Sequence, residues 1–236
     1  MRPFRLRVFL TLLLLVGATG TANAQELRYS WLDMSFMYQD VSQQGTLNPL
    51  PEQTVEIDTT DGAGIRFRGS LGTWYGFYLM VDYGSTDINL TGNVTNTVTG
   101  VSLTFADEFD YTTIRGGIGL KYSIFHKTDI IGEVTYDSLD FDFGSFAGEN
   151  FDMGRTDFGA TLGFRTLLGD HFELRAHGRY SDMGNVDLTT GILDPDTLFG
   201  VGFSWEVIRG LAIVGDFESG ELSSWSVGFR LDLDED

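Results

Sequence analysis

The side chains in this sequence best able to do chemistry are three histidines and a recurring set of charged residues. His126 and His171 fall where the chain is expected to turn, whereas His177 lies in an alternating segment beside Arg175 and Arg179. No Ser-His-Asp set, metal-ligand cluster or glycine-rich phosphate loop is visible. We therefore expect no catalytic site and no cofactor, and we interpret His177 as part of a charged network rather than as a catalytic base.

The charged residues lie on segments in which apolar and polar residues alternate. From Leu222 to Leu233, for example, Trp225, Val227 and Phe229 fall on one face and Arg230 falls on the other. A period of two is typical of a β-strand with one apolar and one polar face. Ten such segments are predicted: Tyr29–Gln39, Gly64–Leu71, Trp74–Gly84, Asp110–Ile124, Asp129–Asp137, Arg155–Leu167, His171–Ser181, Leu198–Glu206, Leu211–Glu218 and Leu222–Leu233.

These segments predict an all-β protein, an antiparallel up-and-down transmembrane β-barrel. Their lengths suit the ~9–11 residues that a tilted membrane strand needs. Short turns alternate with long connections, as in barrels with short periplasmic turns and long outer loops. The long connections are Asp40–Asp61, Gly84–Glu108, Ser138–Asp152 and Asp182–Asp196. Eight strands is the alternative count and a soluble sandwich or lipocalin-like barrel the alternative fold, but aromatic residues at both strand ends favour the membrane barrel.

The charged faces are expected to point into the barrel, because the apolar faces must meet lipid. Their mixed signs suit an enclosed polar lumen, and scattered solvent-exposed charges are the alternative. Asp33 also lies on one of these charged faces. The predicted lumen-lining residues are Arg66, Arg68, Asp82, Arg115, Lys121, Glu133, Asp137, Arg155, Asp157, Arg165, Glu173, Arg175, His177, Arg179, Glu206, Asp216, Glu218 and Arg230.

The N-terminus predicts export. Arg2, Arg5 and Arg7 precede the apolar run Val8–Val16, and Ala22-Asn23-Ala24 follows, which is the pattern of a cleaved signal peptide. We expect residues 1–24 to be removed and residues 25–236 to form the barrel; a retained anchor is the alternative. Cleavage leaves twelve basic and thirty-four acidic residues, a net charge of −22, so we expect no binding to nucleic acid.

The last strand carries a family resemblance. The segment Ser226–Leu233 has a polar residue, Gly228 two positions on, and two hydrophobic residues two apart at its end, and it resembles the C-terminal signal of bacterial outer-membrane β-barrels. It departs from that pattern because Leu233 stands where phenylalanine is usual and three acidic residues follow. The chain resembles small OmpA-like outer-membrane proteins of Gram-negative bacteria. The resemblance implies location in the outer membrane, contact with its lipid and lipopolysaccharide, and recognition of Ser226–Leu233 by the barrel-assembly machinery.

The expected function is a structural or surface-interaction scaffold. A narrow porin-like channel for small solutes or ions is the alternative, and an outer-membrane enzyme is less favoured. The four long connections and Glu221 contain seventeen acidic residues and no lysine or arginine, which predicts weak binding of divalent cations or simply solvated acidic loops. The run Thr91–Thr104 is expected to extend a hairpin above the membrane.

The turns also predict how charged residues face each other across neighbouring strands. Turns around Gly169 and Gly72 are expected to pair Arg165 with Glu173, Gly163 with Arg175, Gly159 with Arg179, and Arg68 with Gly76. Turns around Phe125 and Arg209 are expected to pair Gly119 with Glu133, Arg115 with Asp137, Gly202 with Asp216, and Gly200 with Glu218. Each long charged side chain would then meet a glycine or an opposite charge and help to fill the lumen. The alternative is that the glycines only relieve strand curvature.

Overall fold

The described residues form a closed antiparallel barrel of ten strands. The structure, a computed structural model, describes residues 27–50, 52–125, 127–146, 149–187, 192–220 and 223–233. The strands are β1 (Trp31–Leu50), β2 (Gln53–Gly72), β3 (Phe77–Asn96), β4 (Ser102–Phe125), β5 (Thr128–Phe146), β6 (Glu149–Leu168), β7 (Phe172–Asp187), β8 (Ile192–Ile208), β9 (Leu211–Ser219) and β10 (Ser223–Asp232). Each strand pairs with its chain neighbours, and β1 pairs with β10 to close the barrel. The predicted fold and strand count are confirmed, and the predicted signal peptide lies outside the described residues.

One end of the barrel has short turns and the other has long hairpins. The predicted long connections are wrong as loops, because most of their residues continue the strands. The hairpin predicted over Thr91–Thr104 is confirmed: β3 and β4 stay in register until Thr95 faces Ser102. Its turn closes with Gly100 in the left-handed region, at φ 67°. Threonine, valine and asparagine alternate along this hairpin, and β-branched residues favour extended pairing.

The outer surface of the barrel carries an apolar belt. Met34, Leu162 and Phe229 are 58%, 67% and 62% exposed, whereas Asp33 on the opposite face is only 3% exposed. This arrangement reverses that of a soluble protein and is the one expected for strands that face lipid. Aromatic residues cluster within the belt, where the rings of Tyr38 and Trp225 stack with their centroids 5.5 Å apart.

Above the belt, towards the hairpin end, the two faces exchange character. The outer face there carries Asp87, Asp110 and Asp142, which lie opposite one another on β3, β4 and β5. The inner face carries a buried apolar cluster, which we call the apolar cap: Ile88, Phe109, Tyr111, Leu139, Phe141 and Met183. The strands therefore leave the membrane and continue with an apolar interior, as a water-soluble barrel does.

Two of the four predicted registers are confirmed. Gly119 faces Glu133 and Arg115 faces Asp137 across β4 and β5. Across β8 and β9, Gly200 faces Glu218 and Gly202 faces Asp216.

Within the described residues, no helix has the length and hydrophobicity needed to cross a bilayer.

The other two predicted registers are wrong. Gly169 adopts a φ of 77° and begins the β6–β7 turn, so Leu168 faces Phe172 and the strands shift by two residues. Arg165 therefore faces Arg175, Gly163 faces His177, and Thr161 faces Arg179. The β2–β3 connection contains a short 3₁₀ turn, Trp74–Gly76, which had been assigned to a strand. Gly72 consequently faces Tyr78, and Arg68 faces Asp82 rather than Gly76.

Candidate functional site

The barrel lumen is the candidate site, because it brings most of the predicted charged residues together. Arg155 and Asp157 pair with each other at the hairpin end, where the Arg155 side chain is 45% exposed. Glu206 lies at the short-turn end, 3.2 Å from both Arg28 and His171. The remaining predicted residues lie between these two ends: Arg66, Arg68, Asp82, Arg115, Lys121, Glu133, Asp137, Arg165, Glu173, Arg175, His177, Arg179, Asp216, Glu218 and Arg230.

Asp33 and Asp216 each bind two arginines in the lower part of the lumen. Arg230 donates from Nε to Asp33 Oδ1 at 2.7 Å, and Arg68 donates from Nη2 to Asp33 Oδ2 at 2.9 Å. Arg68 and Arg175 both donate to Asp216. The network thus connects β1, β2, β7, β9 and β10 across the lumen. Buried charges of this kind persist only when they are paired and hydrogen-bonded.

A second group of charges forms a central layer, which we define as Arg66, Asp82, Arg115 and Glu218. Arg66 donates from Nε to Asp82 Oδ1 at 2.9 Å and lies 3.6 Å from Glu218. Arg115 lies 3.8 Å from both acids. His177 Nε2 lies 3.6 Å from Glu218 Oε1, so His177 adjoins this layer. The layer contains two cations and two anions and spans the lumen from β2, β3, β4 and β9.

Arg179 fills the space over a glycine, as the sequence predicted, although by a different register. Its guanidinium donates to Asp137 and, at 2.9 Å, to Thr135 Oγ1. A Cβ atom placed on Gly159 would collide with this guanidinium and would lie 2.9 Å from Asp137 Oδ2. Glycine at 159 therefore makes room for a charged side chain that crosses the strand interface.

The N-terminal segment closes the short-turn end, a feature that sequence reasoning missed. Tyr29 had been taken as the start of the first strand, but its ring lies inside the barrel and is 4% exposed. Its hydroxyl donates to Asp129 Oδ2 at 2.9 Å, and its ring packs on Tyr78 with centroids 5.0 Å apart. The Arg165 guanidinium lies 4.3 Å from the same ring. Leu27 and Ile131 complete this group, which we call the N-terminal plug.

Two small cavities lie on either side of the central layer, among the residues that the structure describes. The upper cavity has a volume of about 60 Å³ and reaches Tyr111, Leu139 and Met183 of the apolar cap. The lower cavity has a volume of about 70 Å³ and reaches Tyr78 and Ile131 of the N-terminal plug. All four residues of the central layer line both cavities, so this layer lies between them. The apolar cap, the central layer and the N-terminal plug thus occupy the lumen at three heights.

The acidic hairpins hold carboxylates close together on the outer surface. Loss of hydration, a hydrogen bond with Asp87 and the charges of Asp87 and Asp142 raise the pKa of Asp110. Among the residues that the structure describes, no group of three or more histidines and carboxylates is arranged to hold a metal ion. Weak divalent binding by these hairpins therefore stays a prediction.

The comparisons with known proteins agree with the membrane barrel. The family described as the outer membrane protein beta-barrel domain has a sequence model that matches residues 9–206. The chain belongs to this outer membrane family. Membership places the protein in the outer membrane. No curated protein matches the chain significantly.

Solved outer-membrane barrels resemble the chain at low sequence identity. The β domain of the Bordetella autotransporter BrkA is 10% identical, with 87% of this chain and 100% of that chain covered and a TM-score of 0.48. The translocator domain of NalP from Neisseria meningitidis is 14% identical, with 97% and 94% covered and a TM-score of 0.48. OprG from Pseudomonas aeruginosa is 8% identical, with 89% and 98% covered and a TM-score of 0.45. These likenesses concern the fold alone.

Proposed function

We propose that this outer membrane barrel is a closed scaffold that displays its long acidic hairpins at the cell surface. One observation carries the proposal: described side chains occupy the lumen at three heights, and the cavities on either side of the central layer measure about 60 and 70 Å³. A small barrel whose interior is filled by side chains is a rigid anchor rather than a pore. Catalysis has no part in the proposal, because His177 lies within the charged network beside Glu218.

The β3–β4 hairpin supports the display part of the proposal. Its tip carries Val98, Val101 and Leu103, which are 72%, 57% and 69% exposed. The same hairpin carries Asp87 and Glu108 on its outer face. Exposed apolar residues surrounded by charges are common at surfaces that contact other molecules. Short turns are periplasmic in barrels of this kind, which supports an external position for the hairpin.

An epitope inserted after Thr99, in the β3–β4 turn, tests display and orientation. Antibody should label intact cells, because the turn lies at the far end of the hairpin. The matched control carries the same epitope after Gly210, in the short turn between β8 and β9. It should be labelled only after the outer membrane is permeabilised. Labelling of the Gly210 epitope alone on intact cells contradicts the proposal.

Liposome swelling tests the closed lumen. Vesicles that contain the refolded protein should shrink in an osmotic shock with glycine and should not re-swell, because the central layer lies between the two cavities. Vesicles without protein provide the baseline. Rapid re-swelling above that baseline would favour the narrow porin-like channel.

The acidic hairpins support a weaker part of the same proposal, the binding of divalent cations that link them to the phosphates of lipopolysaccharide. Carboxylate oxygens are the ligands that Ca²⁺ and Mg²⁺ prefer, and Asp87, Asp110 and Asp142 lie in register on three strands. Because no three described carboxylates are arranged around one ion, the phosphates would supply the remaining ligands. Calorimetry with millimolar Ca²⁺ in the presence of lipopolysaccharide should detect heat of binding that the variant with Asp87→Asn, Asp110→Asn and Asp142→Asn lacks. Equal heats for the two proteins rule out this site.

A further inference from the structure

The lower cavity has a wall lined by charged and polar side chains. It lies between the central layer and the N-terminal plug, with a volume of about 70 Å³. Charged residues on its wall include five arginines and three carboxylates: Arg66, Arg68, Arg115, Arg175, Arg179, Asp82, Glu133 and Glu218. His177, Ser70 and Trp31 also line it. The wall is therefore polar, and the arginines that its own carboxylates do not bind are paired with acids beside it: Asp33, Asp216 and Asp137.

Hydrogen-bond donors on this wall lack acceptors. Trp31 Nε1 and the Nε atoms of Arg68, Arg175 and Arg179 are buried and have no partner among the described residues. All four can only donate. The Ser70 hydroxyl and His177 Nδ1 are also buried without a partner, and each is able to donate. A cluster of buried donors without acceptors is unfavourable unless something accepts their hydrogen bonds.

The carboxylates on the wall are already engaged. Asp82 accepts from Arg66 Nε at 2.9 Å, and Glu133 Oε1 accepts from the Tyr78 hydroxyl at 2.8 Å. Glu218 lies 3.6 Å from Arg66 and 3.6 Å from His177. The unused hydrogen-bonding capacity of the wall is thus mainly donor capacity, which matches an acceptor with several lone pairs.

We infer that the lower cavity binds a small inorganic anion of the halide class. An anion accepts from several N–H groups at once, and charge-assisted hydrogen bonds to guanidinium groups are stronger than neutral ones. The volume of about 70 Å³ holds a halide ion with a few water molecules. A cation is disfavoured because it cannot accept from the unpartnered donors of the wall, and a large organic anion does not fit.

The anion would be a structural ligand rather than a transported one. The central layer lies on one side of the cavity, and on the other side the Tyr29 ring packs on Tyr78, which lines the cavity. An anion that binds the folded state and not the unfolded chain stabilises the folded state, and at about ten times the dissociation constant it raises the folding equilibrium constant about elevenfold.

Bromide provides the direct test, because its anomalous scattering locates it without assumptions about chemistry. Crystals of the full refolded barrel in sodium bromide should show an anomalous peak in the lower cavity, near Trp31 and Arg175. Ordered water there, with no anomalous peak, overturns the inference.

Unfolding measurements provide a second test in solution. Refolded protein in lipid should unfold more slowly or at higher urea in chloride than in gluconate at equal ionic strength, since screening is the same but gluconate is too large to enter. Ser70→Ala and Trp31→Phe each remove one donor and should reduce the chloride effect. Ser226→Ala is the matched control, because Ser226 Oγ is also buried without a partner but does not line this cavity. Equal behaviour in chloride and gluconate, or an equal loss in the Ser226 variant, contradicts the site.

Discussion

Arg165 on β6 lies opposite Arg175 on β7, yet its guanidinium binds Glu173, which precedes Arg175 by two residues on the same strand. Arg165 donates to Glu173 from Nε at 3.0 Å and from Nη2 at 2.7 Å. Their side chains are only 5% and 13% exposed. The two like charges tolerate this register because Glu173 neutralises Arg165 diagonally, while Asp216 binds Arg175.

Glu173→Gln should strongly destabilise the barrel. The substitution leaves the buried Arg165 without its counter-ion, and breaking a buried pair in this way costs about 3 kcal/mol or more. The measurement is urea unfolding of the protein in lipid vesicles, followed by tryptophan fluorescence. Asp157→Asn is the matched control, because Asp157 pairs with Arg155, whose side chain is 45% exposed. Equal losses for the two variants would argue against a central role for the lumen network.

Cysteine cross-linking should establish the β6–β7 register. Thr166 lies opposite Leu174, and both face away from the lumen, so Thr166→Cys with Leu174→Cys should form a disulfide under mild oxidation. Thr166→Cys with Phe172→Cys reports the register shifted by two residues and should cross-link poorly. Gel mobility with and without reductant distinguishes them. Efficient cross-linking of the second pair only would show that the strands are shifted.

Asp110→Asn should stabilise the hairpin region at neutral pH. Asp110 lies above the apolar belt, and burial together with Asp87 and Asp142 raises its pKa above the ordinary value. The folded state then holds the proton more tightly than the unfolded state, so wild-type stability falls as pH rises through the interval between the two pKa values. Unfolding from about pH 4 to about pH 7 should show this decline in the wild type and a weaker decline in the variant. Parallel pH profiles would mean that the Asp110 carboxyl does not contribute.

Deletion of Ser226–Leu233 should prevent assembly in the outer membrane. The deletion removes most of β10, which pairs with β1 from Trp31 to Asp40 and with β9. The exposed strand edges would then be unsatisfied in lipid. We propose that the same segment is recognised by the barrel-assembly machinery. Membrane fractionation and protease resistance measure the outcome. The control variant Val227→Leu keeps the strand and should assemble normally. Normal assembly of the deleted chain would refute the prediction.

Sequence reasoning found the barrel because the signal is strong where strands cross the membrane. It missed the apolar cap because the alternation continues there with its faces exchanged. Ile88 alternates with Asp87 and Asn89, and Phe141 alternates with Asp140 and Asp142, so acidic residues in these stretches were interpreted as loops. A reversal in the phase of alternation was the available signal, and it marks the point where the strands leave the lipid.

The strand registers could be predicted only in part from the sequence. The position of a turn decides every pairing beyond it. The predicted and observed β6–β7 turns both contain three residues, but the observed turn begins at Gly169 instead of Leu168, which shifts the partner of Arg165 by two positions. The turn at Phe125 was interpreted correctly, and Arg115 faces Asp137 as predicted. The N-terminal plug was missed because Tyr29 was taken as the first residue of a strand, whereas it precedes β1 and packs on Tyr78 through a contact distant in sequence.

Single-channel recording in planar lipid bilayers tests the closed lumen most directly. The wild-type protein should insert without steady conductance steps, because the apolar cap, the central layer and the N-terminal plug occupy the lumen. A variant with alanine at Arg66, Asp82, Arg115 and Glu218 removes two positive and two negative charges from the central layer and should conduct more than the wild type. Large, steady steps from the wild-type protein, equal to those of the alanine variant, would contradict the account.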